Sequence, residues 1–182
     1  MADDLAILAR MRKANIPPYA YESTLAMEKQ PILAAQVKDK SYALHGMLQS
    51  YLLTCSRNNS TPASRQVTRC AAVFAKELVL ARREVLYLTF ADAMILIRRP
   101  VFDDEGYPAY LGKGFIVIGD YGLNALTWDS TDREALHSFL VKHLSMGGGL
   151  ILAETTSDDS VKNSYSNDLA NSFATFKSVT VV

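Results

Sequence analysis

Three uninterrupted apolar runs, separated by segments of helical periodicity, constrain this 182-residue chain more than any other feature. They are Val85-Leu86-Tyr87-Leu88 (read as a strand that continues through Thr89-Phe90), Phe115-Ile116-Val117-Ile118 and Leu150-Ile151-Leu152-Ala153. A strand with one wet face alternates apolar and polar side chains, whereas a strand that is apolar at every position must be covered on both faces. Such runs alternating with helices specify a mainly parallel sheet sandwiched between helices, so the expected fold class is α/β. The length suits one domain with an ordinary core.

The segments between the runs read as follows. Leu5, Leu8, Ala9 and Met11 recur at helical spacing from Asp3 to Ala14. Ile16-Pro17-Pro18-Tyr19 ends that helix, because proline restricts the residue before it and donates no N–H. A second helical stretch follows Pro31 through Ile32, Leu33, Ala35 and Val37. Met47 to Thr54 reads as a strand, Ser56 to Arg65 as a polar loop, and Val67 to Ala81 as a helix with Cys70, Val73, Phe74 and Leu78 inward. Ala91 to Ile97 is helical, and Asp103 to Pro108 carries turn chemistry. Phe115 to Ile118 is expected as the central strand. Thr131-Asp132-Arg133-Glu134 has the form of a capping box, ahead of a helix burying Leu136, Phe139, Leu140 and Leu144 and ended by Gly147-Gly148-Gly149. Leu169 to Phe173 reads as a short helix and Val179 to Val182 as a last strand. Residues 1–45 form an N-terminal arm with lead-in helices, and residues 46–182 form the α/β domain.

Composition excludes several function classes. Lys+Arg and Asp+Glu balance at 19 each, so no whole-molecule field draws the chain to nucleic acid or membrane, and any such binding is local. The acidic start Met1-Ala2-Asp3-Asp4 has no export signal, no apolar run is long enough for a membrane span, and Cys55 and Cys70 read as thiols, which together give a cytoplasmic expectation. Both cysteines read as buried small residues rather than nucleophiles. His45, His137 and His143 lack metal-pair spacing and read as surface or boundary residues, so no metal and no cofactor are expected.

The chemistry-bearing pattern is a nucleotide site with its parts missing. Gly114-Phe115-Ile116-Val117-Ile118-Gly119-Asp120-Tyr121-Gly122 reads as a buried strand that ends in one acid instead of two. A phosphate cradle needs glycines that let backbone N–H groups close on the phosphates, and a lysine for their charge. No glycine occurs between Gly46 and Gly106 and no lysine between Lys40 and Lys76. Arginine is abundant in that stretch instead, and Arg57, Arg65 and Arg69 are candidate contacts to phosphate or to an acidic partner.

These segments resemble the ATPase domain of bacterial helicase loaders and transposition-helper ATPases of the AAA+ class. Lys13-Ala14-Asn15-Ile16-Pro17-Pro18-Tyr19 with Ser23-Thr24-Leu25 is similar to the family's lead-in, and Ala71 to Leu78 with Val85 to Asp92 resembles its post-loop helix and following strand. Ile116 to Gly122 is similar to its Walker B strand, and Leu150 to Ser157 to its sensor strand. The resemblance implies a RecA/AAA+-like P-loop fold. It puts the Walker A lysine on or near Val67, its glycines on Ser64 and Gln66, the metal-binding hydroxyl on Thr68 and the first Walker B acid on Gly119, leaving Asp120 as the second. The family's C-terminal arginines fall around Asp168 and Ser172. The implied function is that of a pseudo-ATPase: a helicase-loader-like adaptor in DNA replication or mobile-element biology whose partner is a replicative helicase or a loader ATPase, with Asp3 to Ala14 as the docking helix. Alternatives are a recombinase-like structural protein on single-stranded DNA, or an enzyme with another mode of nucleotide use.

Overall fold

The computed structural model describes residues 2–38, 48–55, 61–98, 112, 114–121, 130–155, 171 and 174–181. Helix α1 (Ala2–Lys13) leads through a short 3-10 turn (Pro18–Ala20) to α2 (Pro31–Lys38). The α/β part runs β1 (Tyr51–Cys55), α3 (Thr61–Leu80), β2 (Val85–Leu88), α4 (Phe90–Arg98), β3 (Phe115–Tyr121), α5 (Ser130–Ser145), β4 (Gly149–Glu154) and β5 (Lys177–Val181). All strand pairs are parallel and form one five-stranded sheet in the order β2-β3-β4-β1-β5. The middle position therefore belongs to β4, buried at every residue, and not to β3, which lies between β2 and β4.

The apolar runs divide their side chains between two cores, as strand alternation requires. Phe115, Val117, Ile151 and Ala153 face α3, with Val67, Cys70, Ala71, Phe74 and Leu78 packed on them. Ile116, Ile118, Leu150 and Leu152 face α4 and α5 and meet Ala93, Met94, Leu136 and Leu140. Tyr51 and Phe74 lock α3 to β1 edge to face, with ring centroids 5.3 Å apart. Met11, Ala14, Ile16, Ala20, Leu25 and Leu33 belong to the same core as α3, so the lead-in is part of the packing.

Two helix starts differ from the sequence expectation. α3 begins at Thr61, six residues before Val67, because the polar segment Thr61-Pro62-Ala63-Ser64 suits a first turn: proline's missing N–H costs nothing there. α5 begins at Ser130, which places Thr131 inside the helix and not at its cap. Asp132, in the first turn, instead takes an ion pair from Arg98 of α4 at 2.5 Å. The expected helix at 169–173 lies outside the described residues except for Asn171. Among the described residues no helix is long and apolar enough to cross a membrane.

Both described histidines are buried, contrary to the surface reading. His143 lies at the carboxyl end of α5, where Gly147 (φ 88°) takes the left-handed position and the Gly147 and Gly148 N–H groups bond the Leu144 and His143 carbonyls. The Gly112 N–H donates to His143 Nδ1 at 3.0 Å, which leaves Nε2 as the protonated nitrogen facing the Gly149 carbonyl at 3.1 Å. A Cβ on Gly148 would stand 2.2 Å from that ring, so the turn is glycine for a packing reason. His137 approaches the Tyr121 hydroxyl at 3.4 Å.

Burial pushes the His143 pKa down from 6.5 to about 4. Above pH 6.5 the ring is neutral in both folded and unfolded chains; between 6.5 and about 4 only the unfolded chain takes the proton. Stability should therefore fall as pH falls through that window, by up to about 3 kcal/mol from this residue. Urea unfolding at about pH 7 and about pH 4.5 checks it: His143→Asn should flatten that part of the profile, and an unchanged slope would exclude His143 as its source.

Candidate functional site

In open parallel sheets the crevice at the carboxyl ends of the strands holds ligands. Here that end carries Asp120 on β3, Glu154 at the end of β4, the start of α4, and Tyr19 from the lead-in. A bulge between Ile118 and Tyr121 redirects β3 before it ends and sends Tyr121 to the α5 side, where Phe90 meets its ring at 5.8 Å.

At Gly119, the position that the resemblance assigns to the first acid, another side chain already fills the space of a Cβ. A Cβ there would lie 1.8 Å from the Tyr87 hydroxyl and 2.5 Å from the ring carbon that bears it. Tyr87 projects from the neighbouring strand, is itself buried, and hydrogen-bonds the Tyr19 phenol. Burial is the main force raising both phenols' pKa values, so both stay protonated. A metal-binding carboxylate has no room in this corner.

Asp120 is present but employed. Its Oδ1 accepts the Phe90 N–H at 2.5 Å, taking a donor that the first turn of α4 leaves open. The rest of that turn is a capping box: the Asp92 N–H donates to Thr89 Oγ1 at 3.1 Å, and Asp92 Oδ2 accepts the Thr89 N–H at 3.3 Å and its hydroxyl at 2.6 Å. Burial pushes the Asp120 carboxyl up, the Phe90 N–H pulls it back, and Asp92 adds a smaller upward push. The carboxylate thus ties β3 to α4.

Among the described residues, the remaining positions do not come together at one point. Val67 is fully buried against the sheet, and with Thr68 it lies six and seven residues inside α3. A cradle feeds the first turn of its helix, which puts the corresponding positions at 56–61; residues 56–60, including Arg57, lie outside the described residues. Arg65 is exposed on α3. Arg69 is committed to the lead-in, with its Nε 2.7 Å from Glu28 Oε1 and its Nη2 donating to Ser23 Oγ at 2.8 Å. Asp168 and Ser172 also lie outside the described residues. Cys70 is buried with its thiol pushed up to about 12 by burial and by Glu28, so it stays protonated and unreactive.

Sequence reasoning missed four residues. Tyr87 read only as a strand aromatic, since nothing local says that its hydroxyl reaches a neighbouring strand. Glu154, a carboxylate only 5% exposed and in register with Tyr121, read as the end of a strand. The Thr89-x-x-Asp92 box was visible as a motif, but the strand reading ran through it to Phe90.

No protein-family model matches the chain, and no curated protein matches it. Among solved structures the chain is similar to AMPPCP-bound DnaA from Aquifex aeolicus, with a TM-score of 0.58 at 13% sequence identity. The alignment covers 91% of this chain and 51% of that one, so the chain spans about half the length of the DnaA chain. At this identity the likeness concerns the fold alone, a parallel α/β sheet covered by helices on both faces.

Two substitutions probe the corner. Gly119→Asp should destabilise by about 2 kcal/mol or more through overpacking. Tyr87→Val in the same chain should recover part of that, whereas Tyr87→Phe should not, because the ring carbon still intrudes. Asp120→Ala should cost about 1–2 kcal/mol through the lost cap, and Asp120→Asn, which keeps an acceptor, clearly less. Denaturant midpoints measure both series; equal losses for the two Asp120 variants would refute the capping role.

Proposed function

We propose that this AAA+-like chain is a non-catalytic, helicase-loader-like adaptor in DNA replication or mobile-element biology, which binds a replicative helicase or a loader ATPase without hydrolysing ATP. The observation that carries this reading is the Tyr87 phenol standing where the first Walker B acid would project. Phosphoryl transfer depends on positioning and on neutralising charge around the phosphates, with little covalent work for the protein. A site with no lysine in the loop, no metal-binding acid and its second acid committed to a helix cap lacks the groups for that task.

The scaffold around this corner is intact, which suits a binding role. The sheet keeps its order and its two covered faces, and the lead-in is bonded to α3. Helix α1 buries its carboxyl-terminal half through Met11 and Ala14 and leaves Leu5 70% exposed, so a partner groove can take the amino-terminal turns while the other end anchors them. The reading of Arg65 and Arg69 as a DNA contact is weaker, since Arg69 holds Glu28.

Titration with a fluorescent ATP analogue should show no Mg²⁺-dependent binding up to about 1 mM; a Mg²⁺-dependent Kd in the low micromolar range would overturn the pseudo-ATPase reading. Size-exclusion with the purified replicative helicase and loader ATPase of the host should show co-elution with one of them. Leu5→Glu should weaken that complex at least tenfold at unchanged thermal stability, and failure of both proteins to bind would refute the adaptor role.

A further inference from the structure

The opposite end of the sheet, at the amino ends of β2 and β3, holds a cleft of about 820 Å³. Its rim is basic. Arg10 and Lys13 come from the last turn of α1, and Arg82 and Arg83 from the turn between α3 and β2; the one acid among them is Glu84. Its floor is apolar, formed by Val79, Val85, Leu86 and Ile116. In a chain whose formal net charge is zero, four cations around one acid form a distinct local field.

Basic residues at helix ends often serve the helix itself, so that reading has to be weighed. Here the terminal carbonyls are largely met by backbone. In α3, Ala81, Arg82 and Arg83 N–H groups bond the Glu77, Val79 and Leu78 carbonyls; in α1, Ala14, Asn15 and Ile16 N–H groups bond those of Arg10, Arg12 and Met11. Arg10 is drawn into such a role, through its Nη2 donating to the Val79 carbonyl, while Lys13 and Arg82 are exposed at the rim. Each helix end contributes about half a negative charge, too little to offset four cations. Arg82 even holds the left-handed position (φ 63°) that glycine occupies without steric cost, which keeps a cation at the rim.

We infer that this cleft binds the phosphate of a nucleotide unit, with the base or sugar lying over the apolar floor. The volume falls within the range of small-ligand sites, roughly 300–1,000 Å³. Arginine forks match phosphate oxygens in paired hydrogen bonds, and an apolar floor accepts a base face without reading its edge. A free nucleotide and one unit of a single strand present this same chemistry; a duplex, whose bases are stacked inside, does not present the base face. The inference is independent of the adaptor reading, because the cleft lies at the far end of the sheet from Gly119 and Asp120. The basic rim, with Lys13 and Arg82 exposed on it, and not a metal, neutralises the phosphate, so binding here persists in EDTA, unlike binding at a conventional Mg²⁺-nucleotide site.

The test is fluorescence anisotropy in EDTA with two probes, a labelled AMP and a labelled oligo-dT, each against inorganic pyrophosphate and polyglutamate as competitors. Binding of either probe is expected, and which of them binds more tightly identifies the source. Lys13→Glu with Arg82→Glu should weaken it at least tenfold and lower the oligo-dT salt slope by about 1.4, for two lost phosphate contacts. Lys38→Glu, a reversal on α2 outside the cleft, should change it less than twofold. Both cleft side chains are exposed, so melting should be unaffected; if the reversal unfolds the chain, Lys13→Gln with Arg82→Gln gives the same comparison. No binding of either probe, binding indifferent to the cleft variants, or equal displacement by pyrophosphate or polyglutamate would each overturn the inference.

Discussion

Burial of α3 on both sides is the constraint on which the rest of this structure depends. Its residues 70–76 are all buried, although a helix on one face of a sheet normally keeps a polar back. The back is covered by the lead-in, and the polar groups trapped beneath it are paired. Lys76 donates to the Ser23 carbonyl and lies 3.2 Å from Glu77, while Arg69 holds Glu28 and Ser23. Leaving such groups unpaired in the interior would be costly. The lead-in therefore functions as the second wall of the core, and its Ile16-Pro17-Pro18-Tyr19 segment delivers Tyr19 to Tyr87.

That arrangement accounts for Gly119 and for the bond of Asp120 at the carboxyl end of the sheet. A phenol buried between the lead-in and β3 requires glycine opposite it, and glycine at that position removes the acid. The next residue, Asp120, is then free to bond the first turn of α4. Restoring one side chain would not restore the site, because the space, the partner and the cap are each assigned to something else. The left-handed residues Asn15 and Arg82 turn the chain tightly after α1 and α3 without glycine.

Much of the architecture was legible in the sequence because it rests on local patterns. Continuous apolar runs gave β2, β3 and β4 within a residue or two, and the glycine triplet after Met146 marked the end of α5. What escaped was long-range. Proline in Thr61-Pro62 could be a loop or a first turn until the packing of Val67 decided it. His143 read as a boundary residue because the Gly112 N–H and Gly149 carbonyl that satisfy it lie far away along the chain or across a turn. The pairing of Tyr87 with Gly119 needs the strands side by side in register, and no spacing in one chain announces that. What the fold adds to the sequence is the reason residue 119 is glycine.

The lead-in also changes how the sheet can meet other chains. β2 is an edge strand, and the Tyr87 N–H on its outer side is taken by the Ala14 carbonyl at 2.9 Å. Among the described residues, β5 at the other edge has no such cover, and its residues alternate between exposed and buried toward the end. Among the described residues, then, the lead-in covers one edge of the sheet and leaves the other uncovered. On the β2 edge, the backbone N–H of Tyr87 that a further strand would need is already bonded within the chain, so the same segment that walls the core also occupies a pairing position of the sheet.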